Sequence, residues 1–203
     1  MLHGFFQVEV QRDGQDVWYN RHHQTAINNL MLSGSKNEIF FISANSPGSL
    51  HDSDVFKSSD LFVKLHNDGW RAFPGAIIIG DSAYDGTFPF MATPYLDGAA
   101  RGNERKMRYN VAFKKARNVV ERTIGILKNK FLMLKVGLRL KDMVDCARVI
   151  EILCAIHNFI IRKRNPNDED SDSEDDANVV VEQQPLQPME GVQTKDRLLE
   201  IYF

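Results

Sequence analysis

Two carboxylates in this 203-residue chain stand where acids can do chemistry. Asp81 follows the run Ile77-Ile78-Ile79-Gly80. Three β-branched residues in a row read as a strand buried on both faces, and Gly80 ends it. Asp81 then falls at a strand's carboxyl end, where open α/β sheets hold their ligands. An aspartate just past a strand is also an ordinary turn or helix cap. Later in the chain, Glu121 is the single acid in the basic run RNVVERTIGILKNKF, residues 117–131. A strand-end Asp and a helix-borne Glu can converge on a metal ion, since hard cations take oxygen ligands. Arg117 lies four residues before Glu121, so a helix-surface ion pair is the competing use of that acid, worth a few tenths of a kcal/mol.

These acids need a scaffold, and the pattern of apolar residues supplies one. Phe5–Val10, Thr25–Leu32 and Glu38–Ala44 read as strands, with turn residues at 12–16 and 33–37, which suggests an antiparallel meander. Pro47 and Gly48 break the third strand, and Asp52, Ser53 or Asp54 can cap a helix running to about Asn67. Gly75–Gly80 reads as the central strand, and Thr87–Asn103 reads as a loop. A long basic helix is expected from about Tyr109 to Phe131, with Ala112, Ala116, Val119, Val120, Thr123 and Leu127 as its apolar stripe. A second, Lys141–Lys163, is apolar nearly all round and is expected to be buried. His157 lies on its apolar face and reads as a hydrogen-bonded core residue. Three strands, a helix, a further strand and then helices is the order of a ribonuclease H-like core, an α/β fold with a mixed sheet.

Composition narrows the partners. Hydrophobic residues make up 43% of the chain, enough for a sizeable core. The net charge of −2 hides a segregation: about −5 over residues 1–100, about +12 over 101–164 and about −9 over 165–203. The basic block suits a polyanion such as a phosphate backbone, or is a solvated helix face. Residues 1–164 are expected to form one domain, 165–193 an acidic disordered linker and 194–203 a short helix. Ser171 and Ser173 precede acids in that linker and are candidate phosphorylation sites. Cys146 and Cys154 lie eight apart in an expected helix, about 12 Å along its axis, too far for a disulfide. No apolar run is long enough to cross a membrane as a helix.

Five blocks give the chain a family likeness. They are YNRHHQTAIN (19–28), PGSLHDSDVF (47–56), IIIGDSAY (77–84), ARNVVERTIGILKNKF (116–131) and LCAIHNFI (153–160). In this order they resemble the DDE nuclease domain of PIF/Harbinger transposases and their host-derived relatives. The resemblance implies a ribonuclease H-like, metal-dependent nuclease acting on DNA. It implies Asp81 and Glu121 as the second and third catalytic acids, and Asp52, the alternative helix-cap residue, as a further metal ligand. Mg²⁺ or Mn²⁺ would assist in-line attack on a phosphodiester. Arg117, Arg122, Lys128 and Lys130 are the candidate phosphate contacts. The resemblance also implies a Myb/SANT-like DNA-binding partner and action in the nucleus, with the cytoplasm as the alternative compartment.

The likeness fails at one point. The family's first acid would fall at residue 3, which is His3, with Gly4 kept after it. Neutral imidazole offers one lone pair and no negative charge, so it replaces a metal-bridging carboxylate poorly. The resemblance therefore also implies a chain that begins inside its domain. Two functions stay open: a DDE-type endonuclease, and a catalytically inactive derivative that binds nucleic acid or protein.

Overall fold

The computed structural model describes residues 2–7, 18, 25–84, 86, 88–140, 142–163 and 193–202. The chain folds as a mixed α/β protein. Strands β1 (Leu2–Gln7), β2 (Ala26–Ser33) and β3 (Ile39–Pro47) form an antiparallel sheet in the order β1-β2-β3. The central position of β2 explains its burial. Ile27 and Met31 face one apolar cluster, and Leu30 faces another on the opposite side, as alternation along a strand requires. The turn between β2 and β3 carries Asn37 at φ 61°, a left-handed conformation that asparagine tolerates.

One helix was expected from the aspartates near 52 to Asn67, and two are present. Helix α1 spans Asp52–Lys57 and α2 spans Asp60–His66. The break comes from two serines. Ser59 Oγ accepts from Phe62 N at 3.2 Å and so caps α2, while also donating to Phe56 O at 2.6 Å; Ser58 Oγ donates to Val55 O. The N-cap of α1 is His51, which makes Asp52 its first helical residue rather than its cap.

The expected central strand Gly75–Gly80 shrinks to β4 (Ile78–Ile79), which pairs in parallel with β5 (Met91–Ala92) as a separate two-stranded sheet. A turn closed by Ala76 N donating to Phe73 O at 3.0 Å delays the strand's start. The expected burial on both faces holds. Ile78 enters the cluster of Leu30, Phe56 and Phe90, and Ile77 and Ile79 pack the other way, against Ala92, Tyr95 and Tyr109. The stretch expected to be a loop contains β5 and the short helix α3 (Asp97–Ala100).

Helix α4 (Glu104–Lys130) starts five residues earlier than its apolar stripe suggested, because Asn103 caps it by accepting from Lys106 N at 3.1 Å. Its buried residues are Tyr109, Phe113, Val120, Thr123 and Leu127; Ala112, Ala116 and Val119 are half-buried. After α5 (Leu132–Val136) comes α6 (Met143–Lys163). Only one side of α6 is buried, the side carrying Cys146, Ala147, Ile150, Cys154 and His157, which corrects the expectation of an all-round buried helix. Both cysteines are free thiols, and burial pushes the Cys154 thiol up to about 12. The acidic stretch lies outside the described residues. Helix α7 (Thr194–Tyr202) follows it and packs Leu198 and Leu199 against the cluster of Tyr95 and Tyr109.

Candidate functional site

The end of β4 shows why GDSAY is arranged as it is. Ile78 N donates to Phe90 O at 2.7 Å and Gly80 N to Ala92 O at 2.9 Å, so the ladder with β5 runs up to Asp81. Asp81 Oδ1 then accepts from Ala83 N at 2.8 Å, and Tyr84 N donates to Asp81 O at 3.2 Å. This turn folds Tyr84 back over Gly80. A Cβ at Gly80 would lie 2.9 Å from Tyr84 Cδ2 and 2.8 Å from Met91 Sδ, so any side chain there would displace the Tyr84 ring or Met91. The Tyr84 ring packs edge-on against Phe56 of α1, with centroids 5.7 Å apart.

Asp52 reaches the same place from the other direction. The chain leaves β3 through Pro47-Gly48 and passes close over β2; a Cβ at Gly48 would lie 2.7 Å from Ala26 O and 2.9 Å from Trp18 O. That close approach seats the start of α1 beside Asn28. Asn28 Nδ2 donates to Asp52 Oδ1 and to Leu50 O, each at 3.1 Å. Asn28 is fully buried in β2, and its Oδ1 has no hydrogen-bond partner among the described residues.

Tyr84 reports on both acids. Its hydroxyl is buried and has no hydrogen-bond partner among the described residues. Burial first, and then the charges of Asp52 and Asp81, raise this phenol well above the ordinary tyrosine value. It is therefore a neutral donor at any physiological pH, set beside two half-exposed carboxylates. Two such carboxylates suit a hard divalent cation, which takes oxygen ligands and keeps several waters.

Glu121 is placed differently. It lies on the exposed side of α4, with its side chain 59% accessible, and pairs with Arg117 at 3.2 Å. The surface pair that the four-residue spacing offered is thus formed. Among the described residues, no three His, Cys, Asp or Glu side chains are gathered closely enough to hold a metal. His3 falls in β1, at the register shift between Leu2 and Gly4, and its side chain lies outside what is described.

A scan of protein families matches residues 4–158, more than half of the chain, to the DDE superfamily endonucleases. The chain belongs to that family. No curated protein and no solved structure matches it.

The remaining basic candidates of this DDE endonuclease chain divide in two. Arg122 is committed to structure: its Nε donates to Asn37 Oδ1 at 2.9 Å and its Nη2 to Ser35 O at 3.3 Å, which ties α4 to the β2–β3 turn. Arg117 holds Glu121. Lys128 is half-buried, and desolvation lowers its pKa. Lys130 is close enough to His157 for its charge to lower that imidazole's pKa.

The same turn is gripped from α6. His157 Nε2 is 2.9 Å from Asn37 O, and Asn158 brackets Ile39, accepting from its N–H at 2.9 Å and donating to its carbonyl at 2.7 Å. His157 is fully buried. The His-Asn pair in LCAIHNFI therefore fastens α6 to the sheet, in line with the core reading of His157. Two residues beside the acids had been assigned no role from sequence, Asn28 and Tyr84. The signal for Asn28 was an amide in the middle of the apolar strand pattern TAINNLML.

Proposed function

We propose that this member of the DDE superfamily endonucleases is a DNA-cleaving domain of the PIF/Harbinger type, built on a ribonuclease H-like plan and acting in the nucleus. The observation that carries the proposal is that Asp52 and Asp81, on two separate elements, both lie near enough to the buried Tyr84 for their charges to raise its phenol, while Phe56 of α1 packs on the Tyr84 ring. Asp52 is oriented by Asn28, and Asp81 is oriented by the N–H of Ala83. In this reading Asp52 and Asp81 would hold a divalent cation, and Glu121 of α4 would have to leave Arg117 to join them. Such an ion would supply polarisation of the scissile phosphate and activation of the attacking water. The Tyr84 hydroxyl, neutral throughout and bonded to neither carboxylate, would keep its proton available to a ligand at the site. The bases of α4 supply attraction for the DNA backbone.

The test is cleavage of supercoiled plasmid in Mg²⁺ or Mn²⁺ by the chain and by Asp81→Ala. Divalent-dependent nicking that disappears in the variant is expected. Nicking that survives in Asp81→Ala would sink the assignment. A second reading has its own support: His3 stands where the family carries an acid, and the described residues gather no three-ligand group. Under that reading the domain binds nucleic acid or protein without cutting. DNA binding with no cleavage in either metal, and with a steep loss of affinity on adding salt, would favour it.

A further inference from the structure

Helix α6 has two apolar faces, and the sheet covers only one. On the other side Ile152 is 57% exposed, Ile156 41% and Phe159 62%, and Val149, half-buried against the core cluster, borders them. Asp145, Val149, Ile152, Ile156, Phe159 and Lys163 follow one another at intervals of four, three, four, three and four residues. That is the spacing of a helix–helix seam, four apolar positions with a charge at each end.

We propose that this seam pairs with the same seam of a second copy, antiparallel, to make a two-fold dimer. The order of residues is self-complementary in that direction. With the two helices centred on position 154, Asp145, which also pairs with Arg148 of its own helix at 3.4 Å, meets Lys163 of the second copy, Val149 meets Phe159, and Ile152 meets Ile156. A parallel arrangement would set Asp145 against Asp145 and Lys163 against Lys163. Antiparallel helices also place the positive end of one dipole beside the negative end of the other.

The surface next to the seam fits the same register. Val149 borders an open apolar hollow of about 460 Å³, lined also by Leu132, Met133, Val136 and Leu140. The pairing brings the exposed Phe159 ring of the second copy onto Val149, at the mouth of that hollow. By symmetry the contact occurs twice, and each copy supplies both the ring and the hollow. Leu132, Met133 and Val136, which line the hollow, are exposed at 68%, 49% and 58%.

Sedimentation velocity on the 203-residue protein between about 1 and 200 μM tests the proposal, a range that brackets the weak affinities of small interfaces. A concentration-dependent monomer–dimer equilibrium is expected, and Phe159→Asp should leave only monomer. Lys163→Asp should weaken the dimer about tenfold, since each of its two ion pairs becomes a repulsion. Asp145→Lys combined with Lys163→Asp should restore dimerisation to within a few-fold of the original. Asp145, Phe159 and Lys163 are all exposed, and their contacts within the helix, Asp145 with Arg148 and Lys163 over Phe159, are surface contacts and not core packing. The double variant introduces unfavourable charges at both helix ends and breaks the Asp145–Arg148 pair, so its recovery can come only from pairing between copies. Monomer throughout the range overturns the proposal, and so does a dimer indifferent to Phe159→Asp. A double variant no better than Lys163→Asp alone overturns the antiparallel register.

Discussion

Two polar clusters are built into this fold, and they are finished differently. Where α4 and α6 grip the β2–β3 turn, Asn37, Asn158, Arg122 and His157 Nε2 all have partners, and of that group's buried atoms His157 Nδ1 alone has none among the described residues. Around Asp52 and Asp81, the Tyr84 hydroxyl and Asn28 Oδ1 are buried without partners among the described residues, and the charges of both acids raise the Tyr84 pKa. Buried polar groups left unpaired cost stability, so a protein keeps them where something else needs them. The clasp holds the fold together, whereas the acid corner weakens it and keeps hydrogen-bonding capacity in reserve. Both lie within the residues that match the DDE superfamily endonucleases, so the match alone does not separate structural residues from those of a site.

Substitutions can break or sharpen that contrast. The largest effect is expected at the acids: Asp81→Asn should reduce divalent-dependent cleavage by about a hundredfold or more. Its urea midpoint should stay level or rise, because one of two neighbouring charges is gone. A large loss of stability in this variant would erase the distinction between the clusters. Asn158→Ala should do the reverse, costing about 2–4 kcal/mol in denaturant unfolding by leaving the Ile39 N–H and C=O unpaired.

The clasp should also be sensitive to acid. Burial, and then the charge of Lys130, lower the His157 pKa from 6.5, outweighing the hydrogen bond to Asn37 that raises it. The unfolded chain therefore takes up this proton first as the pH falls. His157 contributes no penalty well above pH 6.5, and stability drops as the pH falls through 6.5 towards the lowered folded value, by at most about 1.4 kcal/mol per pH unit. His157→Gln should flatten the stability profile in that window while keeping a donor for Asn37 O. Tyr84→Phe should leave stability unchanged or raise it by up to about 1 kcal/mol, since it removes a buried hydroxyl that has no partner. Smallest of all, Arg117→Ala should shift the unfolding free energy by less than about 0.5 kcal/mol, because its pair with Glu121 is exposed.

Much of this was legible in the sequence, and the gaps have physical causes. Strands β2 and β3 and helices α4 and α6 lie within a few residues of where their apolar periodicity puts them. The three isoleucines before Gly80 revealed burial on both faces correctly. They did not reveal that the strand is two residues long and pairs with Met91–Ala92, because ladder partners are not encoded in one strand's side chains. The double serine at 58–59 split a helix that its apolar residues joined. Arg122 read as a free base because its task depends on Asn37, 85 positions away in sequence, adopting a left-handed turn beneath α4. Helix α6 was apolar on two sides, and nothing local to its sequence says which side the sheet will cover. Asn28 and Tyr84 were missed because their roles arise only when α1 and the turn after β4 meet over β2.

The docking of α7 has a consequence in polymer terms. Thr194 Oγ1 donates to Pro89 O at 3.0 Å, Tyr95 donates its hydroxyl proton to Asp196, and Arg105 donates to Leu199 O at 2.9 Å. The chain between Lys163 and Gln193 is thereby anchored at both ends, and α7 acts as a tethered ligand for the surface it covers. Its binding is governed by an effective concentration in place of a free one. The covalent connection between the two ends is what sets that concentration. A proteolytic cut within it would turn the same docking into an encounter between two separate pieces, dependent on dilution.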